Sequence, residues 1–268
     1  MGAVPSAVVW SQIDRRRLLR VLGVAGVGGL VGACAAASEE SAGAPTTSAP
    51  APGVAAAPAT TTTTSTTTAT VPAFGANALA GRFEGANACA LTPETIAGPS
   101  YLQVDALRSD IREDQPGAAL RLGLRVLDES CTPIPDAAVE LWNCDAQGLY
   151  SGYGQRTGDT TGQTYCRGTQ VTDANGIVAF VTIYPGWYRT RTAHLHTKVL
   201  LSSTELLTTQ LYFDDAVTTG VYSAEPYASH TGQDTFNDTD SMFEEATVLS
   251  LSQEAYGYLG LLNLTVQR

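Results

Sequence analysis

His194 and His196 stand one residue apart in RTAHLHTKV, and the whole chain holds only one other histidine, His230. On an extended strand alternate side chains face the same way, so these two imidazoles project to one side about 7 Å apart, near enough to share one ion. Neutral imidazole suits several transition metals, so the pair predicts a metal and leaves its identity to whatever donors join it. Two tyrosines occupy places where the chain changes direction. Tyr188 follows the Pro185-Gly186 turn six residues before His194, and Tyr150 closes WNCDAQGLY, where Gly148 leads into a long loop. Taken alone, each reads as an ordinary core or rim tyrosine. His230, in YASHTG, has no partner at useful spacing and reads as a surface residue. The acidic stretches FNDTDS and FDDA lack the spacing of an EF-hand loop and read as solvated acids. Neither a Ser-His-Asp order nor a G-x-S-x-G elbow is present, which argues against a hydrolase.

The elements that must carry these residues are strands. Residues 120–128, 137–145, 176–184, 193–201, 206–214 and 258–267 form short runs rich in Leu, β-branched and aromatic side chains, separated by Pro, Gly, Asn or Asp. Period-two alternation puts Leu122, Leu124 and Val126 on one face and pairs Val139 with Leu141. No segment sustains a helical period. The expected fold is all-β, a two-sheet sandwich with long loops. Residues 151–173 are too polar and glycine-rich for core and form a loop of the length that usually serves function. Residues 234–245 read as a second, acidic surface excursion.

With 26 acidic against 15 basic side chains and a net charge of -11, the chain is a poor partner for nucleic acid. Residues 1–34 read as an export signal: Arg15, Arg16, Arg17 and Arg20 precede an apolar run too short and glycine-rich for a membrane span. DRRRLLR resembles a twin-arginine signal, which addresses folded proteins for export. LVGAC resembles a lipoprotein processing site with Cys34 as the lipidated residue, the alternative being an ordinary cleaved signal. A lipid there is the only membrane contact expected, and stable anchoring needs more than one acyl chain. Residues 35–80, rich in Ala, Ser, Thr and Pro, should form a disordered tether, because they cannot bury enough apolar area to offset their ordering entropy. This leaves 81–268 as the folded domain. Cys89, Cys131, Cys144 and Cys166 are an even set, which in an exported protein suggests two disulfides with three pairings. None has C-x-x-C spacing. The pairing expected is Cys89 with Cys131 and Cys144 with Cys166, since a strand after residue 137 should carry Cys144 away from Cys131.

WNCDAQGLYSGY, TDANGIVAFVTIYPGWY and RTAHLH together resemble the intradiol ring-cleavage dioxygenases, the group of catechol and protocatechuate 3,4-dioxygenases, most closely their compact extracellular members. TPETIAGPSYL is similar to the family's segment ahead of the sandwich and TTQLYF to a strand after the histidines, so five matches run in one order over roughly half the chain. The resemblance implies one non-haem Fe(III) ion held by Tyr150, Tyr188, His194 and His196, with Tyr188 and His196 axial and Tyr150, His194 and a hydroxide equatorial. It implies that Arg191 stabilises negative charge on bound substrate, that Gln210 lies beside the metal, and that Pro99 and Tyr101 line the pocket mouth. The substrate would be a small aromatic diol, opened by O2 between its two hydroxyl-bearing carbons to a cis,cis-muconate-type product, with Tyr188 taking one of the diol's protons.

These residue types suit that chemistry. Phenolate is a hard anionic donor that favours Fe(III) over Fe(II), and tyrosine, with a pKa near 10, ionises at neutral pH only when a strong Lewis acid holds it. Two departures from the family stand out: Ser100 where a tyrosine is frequent, and Cys166 where phenylalanine is more usual, the latter in keeping with an added disulfide. The competing reading is a non-catalytic sandwich on a Thr-rich stalk that binds a partner or carbohydrate. Such a module has no need for the four donors to meet, and finding them more than about 6 Å from any common centre would favour it. A third reading keeps the metal and loses catalysis.

Overall fold

Leucine alternation builds the first strand, and its two faces meet different partners. In β1 (Ala119–Leu127), Leu120, Leu122, Leu124 and Val126 are wholly buried in the main core, while Arg121 and Arg125 face the other way. The computed structural model describes residues 74–86, 89–104 and 106–268. The export signal, Cys34 and the tether up to residue 73 lie outside them.

The remaining elements are β2 (Ala138–Trp142), β3 (Gly154–Gln155), β4 (Gly158–Asp159), β5 (Arg167–Val171), β6 (Ile177–Ile183), β7 (His194–Leu201), β8 (Thr204–Tyr212), α1 (Asp215–Tyr222), β9 (Ser250–Glu254) and β10 (Gly257–Thr265). Two four-stranded sheets run in the orders β6-β1-β10-β9 and β5-β2-β7-β8, and β3 with β4 forms a small hairpin. The β1–β10 pair is parallel and the other ladders are antiparallel. Leu122, Leu124, Phe180 and Leu262 of the first sheet pack between the layers with Leu141, Leu195, Val199 and Leu211 of the second. The molecule is thus the two-sheet sandwich that the alternation predicts. Among the described residues no helix is long and apolar enough to cross a membrane.

The first sheet is covered on its outer face as well, and this moves the start of the domain. Leu79 and Phe83, on two short 3-10 turns, are buried with Ile177, Ala179, Leu259 and Leu261. Gly123 makes room for them: a Cβ there would meet Leu79 Cδ1 at 2.6 Å. Phe74 and Phe83 lie against the guanidinium groups of Arg121 and Arg125, at 4.1 and 4.9 Å. Burying two such side chains contributes about 1.5–3 kcal/mol each. The tether expected to reach residue 80 therefore gives way to packed structure by Phe74.

Three further elements depart from the sequence reading. The stretch 151–173 is no single loop, since it holds the β3–β4 hairpin and edge strand β5. Helix α1 has only eight residues, capped by Asp214, whose side chain accepts from Ala216 N at 2.7 Å, so that acid has a structural task. β9 is an exposed edge with no apolar alternation.

Cys89 and Cys131 are joined by a disulfide. The pairing of Cys144 with Cys166 is not formed, and both thiols are free and buried. The β2–β5 register explains this. Trp142 pairs with Arg167, and Asn143 N continues the ladder by donating to Cys166 O at 3.1 Å. Cys144 and Cys166 are thus one step out of register and face opposite sides of the sheet. Cys144 packs with Trp142 and Tyr150, whereas Cys166 packs with Tyr165 and Ile183. Burial pushes the Cys166 thiol up to about 12, so it stays protonated and unreactive.

Candidate metal centre

Each proposed donor sits where local structure fixes its direction. Beyond β2 the chain turns around the Asp145 carboxylate, which accepts from Gln147 N at 2.8 Å and Leu149 N at 2.9 Å. Gly186 N donates to Asp145 O at 2.9 Å and sews this turn to the Pro-Gly turn after β6. Tyr150 and Tyr188 are thereby carried in on adjoining segments. Gly148 permits the contact, with φ +78° and a Cβ position only 2.1 Å from Trp187 O. Gly148→Ala should therefore destabilise the fold by about 3 kcal/mol or more, read as a lower urea midpoint, because both the left-handed backbone and the close approach exclude a methyl group. Trp187 is buried under His230, whose ring lies 4.2 Å away and whose carbonyl accepts from Trp187 Nε1. His230 is thus a packing partner of this turn and not the unpartnered surface residue that its spacing suggested.

His194 and His196 are the first and third residues of β7 and both are buried. His194 Nδ1 donates to Thr192 O at 2.7 Å, which leaves Nε2 as the acceptor. His196 is stacked on Trp142, its register partner in β2, with centroids 5.0 Å apart and planes 5° from parallel. The four donors converge. Tyr188 Oη is 3.0 Å from His194 Nε2, Tyr150 Oη is 3.0 Å from His196 Nε2, and Tyr150 Oη is 3.4 Å from His194 Nε2. The condition that would have favoured a mere binding module is not met.

Burial sets the charge states. It lowers His194 to about 3, with Arg191 adding to the effect, and holds His196 well below its usual range, so both imidazoles are neutral ligands at ordinary pH. It raises Tyr188 to about 12, against the pull of Arg191, and raises Tyr150 further. Neither phenol ionises here without a cation to hold it. The histidines also make stability depend on pH. His194 titrates near 6.5 when unfolded and near 3 when folded, so below pH 6.5 the unfolded state binds the extra proton and stability falls as pH falls. Between pH 7 and 5 the iron-free protein should lose about 2 kcal/mol on this account, and His194→Gln should flatten that slope in urea titrations.

Arg191 and Gln210 meet beside the cluster. Arg191 Nε lies 3.1 and 2.9 Å from the two Asp240 carboxylate oxygens, and Nη2 donates to Gln210 Oε1 and, at 3.2 Å, to Tyr212 Oη. Gln210 Nε2 donates to Ile96 O at 3.1 Å. Asp240 also accepts from Thr192 N and Met242 N, and its side chain is 0% exposed. The reading of FNDTDS as solvated acid is overturned at this residue: its carboxylate is the buried counter-ion of Arg191. No spacing in the sequence announces it, since its partner lies 49 positions earlier. Tyr212, by contrast, shares a strand face with Gln210, and period-two reading could have found it.

A cavity of about 350 Å³ opens beside the cluster, touching Tyr188, Arg191, His196 and Gln210 and walled by Ile96, Pro99, Ser100, Ser241 and Met242. Pro99 therefore lies at the expected mouth. Tyr101 does not. The Pro99-Ser100 turn lines the cavity, and beyond it Tyr101 leaves the wall: its hydroxyl donates to Glu140 Oε2 at 2.9 Å and its ring meets the edge of Trp142. Among the described residues no three of His, Cys, Asp and Glu gather into a metal site. The donor set on offer is two phenols and two imidazoles, which fits a hard trivalent ion.

Residues 92–239 match a family model described as Dioxygenase. The chain belongs to the intradiol ring-cleavage dioxygenase family. Its fold is similar to that of an intradiol ring-cleavage dioxygenase from Tetranychus urticae, with a TM-score of 0.63 and 30% identity over 67% of this chain and 95% of that one. The dioxygenase domain of a dioxygenase carbohydrate-binding protein fusion from Streptomyces sp. SirexAA-E gives a TM-score of 0.50 and 28% identity over 66% and 99%. A catechol 1,2-dioxygenase of Acinetobacter baylyi is 31% identical over 146 residues, 45% of each chain. The chain spans about half the length of the curated relatives it matches.

Proposed function

We propose that this protein is an Fe(III)-dependent intradiol dioxygenase that cleaves catechol-type rings with O2 to cis,cis-muconate-type products. The observation that carries this reading is the meeting of Tyr150, Tyr188, His194 and His196 donors at 3.0–3.4 Å from one another. Ligands about 2.1 Å from one ion lie about 3 Å apart at a right angle and about 3.6 Å apart at 120°. Tyr150, Tyr188, His194 and His196 would hold the ion, and the Tyr188–His194, Tyr150–His196 and Tyr150–His194 separations of 3.0, 3.0 and 3.4 Å lie within that range. When bound there, ferric iron would supply Lewis acidity toward the diol and make a hydroxyl-bearing ring carbon reactive to O2.

The chain's own residues do the rest. The cavity walls position the ring, with Ile96, Pro99 and Met242 excluding water from it. Tyr188 Oη, ionised only while a cation holds it, would accept one proton from the entering diol, and its high intrinsic pKa would keep that proton in place. Arg191 is held by Asp240, Gln210 and Tyr212, while its Nη1 has no hydrogen-bond partner among the described residues and can meet charge developing on the substrate. A preorganised group of this kind contributes about 3 kcal/mol to the transition state. Oxygen uptake by the iron-loaded protein with catechol, followed together with product absorbance, tests the reading. Diol-dependent uptake and a visible tyrosinate-to-iron band are expected, and a colourless protein carrying stoichiometric zinc would reject it.

From the N-terminal sequence we further propose that the protein is exported by the twin-arginine route and tethered through lipidated Cys34. The Cys89–Cys131 disulfide supports an oxidising compartment. Cys34→Ser should move the protein from the membrane fraction to the medium, and an unchanged distribution would leave only the cleaved-signal alternative.

A further inference from the structure

Resting on the dioxygenase reading, we propose that this site is built for catechols whose ring substituents are small and uncharged, and that Asp240 is the residue that sets this selectivity. The cavity contains one charged side chain, Arg191, among walls of Ile96, Pro99, Ser100, Thr190, Ser241 and Met242. A carboxylate on the ring would need a free guanidinium edge or an ammonium group, because a buried anion without a partner is strongly disfavoured. Each edge of the Arg191 guanidinium that could grip a carboxylate at two points uses Nη2, with Nε or with Nη1, and both Nε and Nη2 are already occupied, which leaves Nη1 as a single donor. Both Asp240 oxygens take Nε at 3.1 and 2.9 Å, and Gln210 Oε1 and Tyr212 Oη take Nη2.

Asp240 is locked in that place by Thr192 N at 3.0 Å and Met242 N at 2.9 Å. It therefore neutralises the pocket's cation and, through Met242, fixes the wall that a ring substituent meets. A ring carboxylate would also face this fixed negative charge across Arg191.

The other cations nearby do not line the cavity. Arg167 lies 5.9 Å over the Tyr150 ring and is bonded to Ser151 O and Oγ. Lys198 stands over Tyr101, behind Trp142, and pairs with Glu205 at 2.9 Å. Arg189 is 76% exposed and sits 3.5 Å from Asp234. The cavity volume of about 350 Å³ is near the lower end for ligand sites, room for one ring with short substituents. Ile96 and Met242 offer such substituents apolar contact, and methionine adapts to their shape.

The test compares catechol, 4-methylcatechol and 3,4-dihydroxybenzoate on the full iron-loaded protein, by kcat/KM and by anaerobic titration of the visible band to give Kd. The expected result is that 4-methylcatechol stays within about fivefold of catechol while 3,4-dihydroxybenzoate falls at least ~100-fold below it in kcat/KM and in affinity. Asp240→Asn, which releases the Arg191 charge, should narrow that gap at least ~10-fold. Ser241→Lys adds a second cation to the cavity lining while keeping both Arg191 and Asp240, and should narrow it likewise. The inference is overturned if the wild type takes 3,4-dihydroxybenzoate as well as catechol, or if both variants leave the ratio unmoved. If none of the three diols binds or reacts, the dioxygenase reading itself fails, and this inference with it.

Discussion

Tyr150→Phe abolishes turnover: activity is expected to drop by ~10³ or more, equivalent to about 4 kcal/mol of barrier, with iron content and the visible band falling together. The expectation follows from the place of one atom. Tyr150 Oη is the donor that neighbours both histidines, at 3.0 Å from His196 Nε2 and 3.4 Å from His194 Nε2. The substitution removes only that oxygen. The ring remains to pack against Trp142 and Cys144 and to meet Tyr188 edge-on, so the iron-free variant should melt within a few degrees of the parent. Metal analysis, oxygen uptake and thermal melts with and without iron check the claim together. A variant that keeps full iron and rate would remove Tyr150 from the centre. A variant that merely unfolds would show itself in the iron-free melt.

Arg191→Gln should have a double effect that separates chemistry from folding. Loss of the guanidinium should lower kcat by about 10²–10³, the range for removing one preorganised electrostatic group. It also leaves the Asp240 carboxylate buried without its counter-ion, which should destabilise the fold by about 3–5 kcal/mol. The double variant Arg191→Gln with Asp240→Asn should recover most of that stability, because no uncompensated charge remains, yet recover none of the rate. Steady-state kinetics and urea titrations of the three variants give a cycle in which stability is strongly non-additive. Additive destabilisation would show that the two residues do not act as a pair.

The sandwich was legible because its strands alternate over buried faces. β1, β2, β6, β7, β8 and β10 fall within a few residues of the runs read from composition and period. β5 was hidden because RGTQV carries a buried charge: Arg167 is bonded to Ser151 through Nε and Nη2, a partner that no local pattern reveals. β9 escaped as an exposed edge, and α1 spans too few turns to register a period. At the centre, the two histidines follow from strand geometry alone, whereas Tyr150 and Tyr188 drew attention only through resemblance to a family. Asp240 looked like one acid among many, since what distinguishes it is burial against a residue remote in the chain. Tyr101 follows the turn that lines the cavity, and its ring is claimed instead by Glu140 and Trp142 of β2, partners that no local spacing reveals.

The covalent link at Cys89 lies just upstream of Ile96, Pro99 and Ser100, the residues that form one rim of the substrate chamber. That rim has no strand of its own; Thr92 N and Thr95 N donate to Thr265 O and Thr208 O, Ile96 O accepts from Gln210, and the cystine holds the chain ahead of them. Thiol reagents should therefore act on this rim without touching Tyr150, Tyr188, His194 or His196. Dithiothreitol should raise KM for the diol while sparing the colour of the protein, so an assay buffered with reductant would understate how tightly the native enzyme holds its substrate.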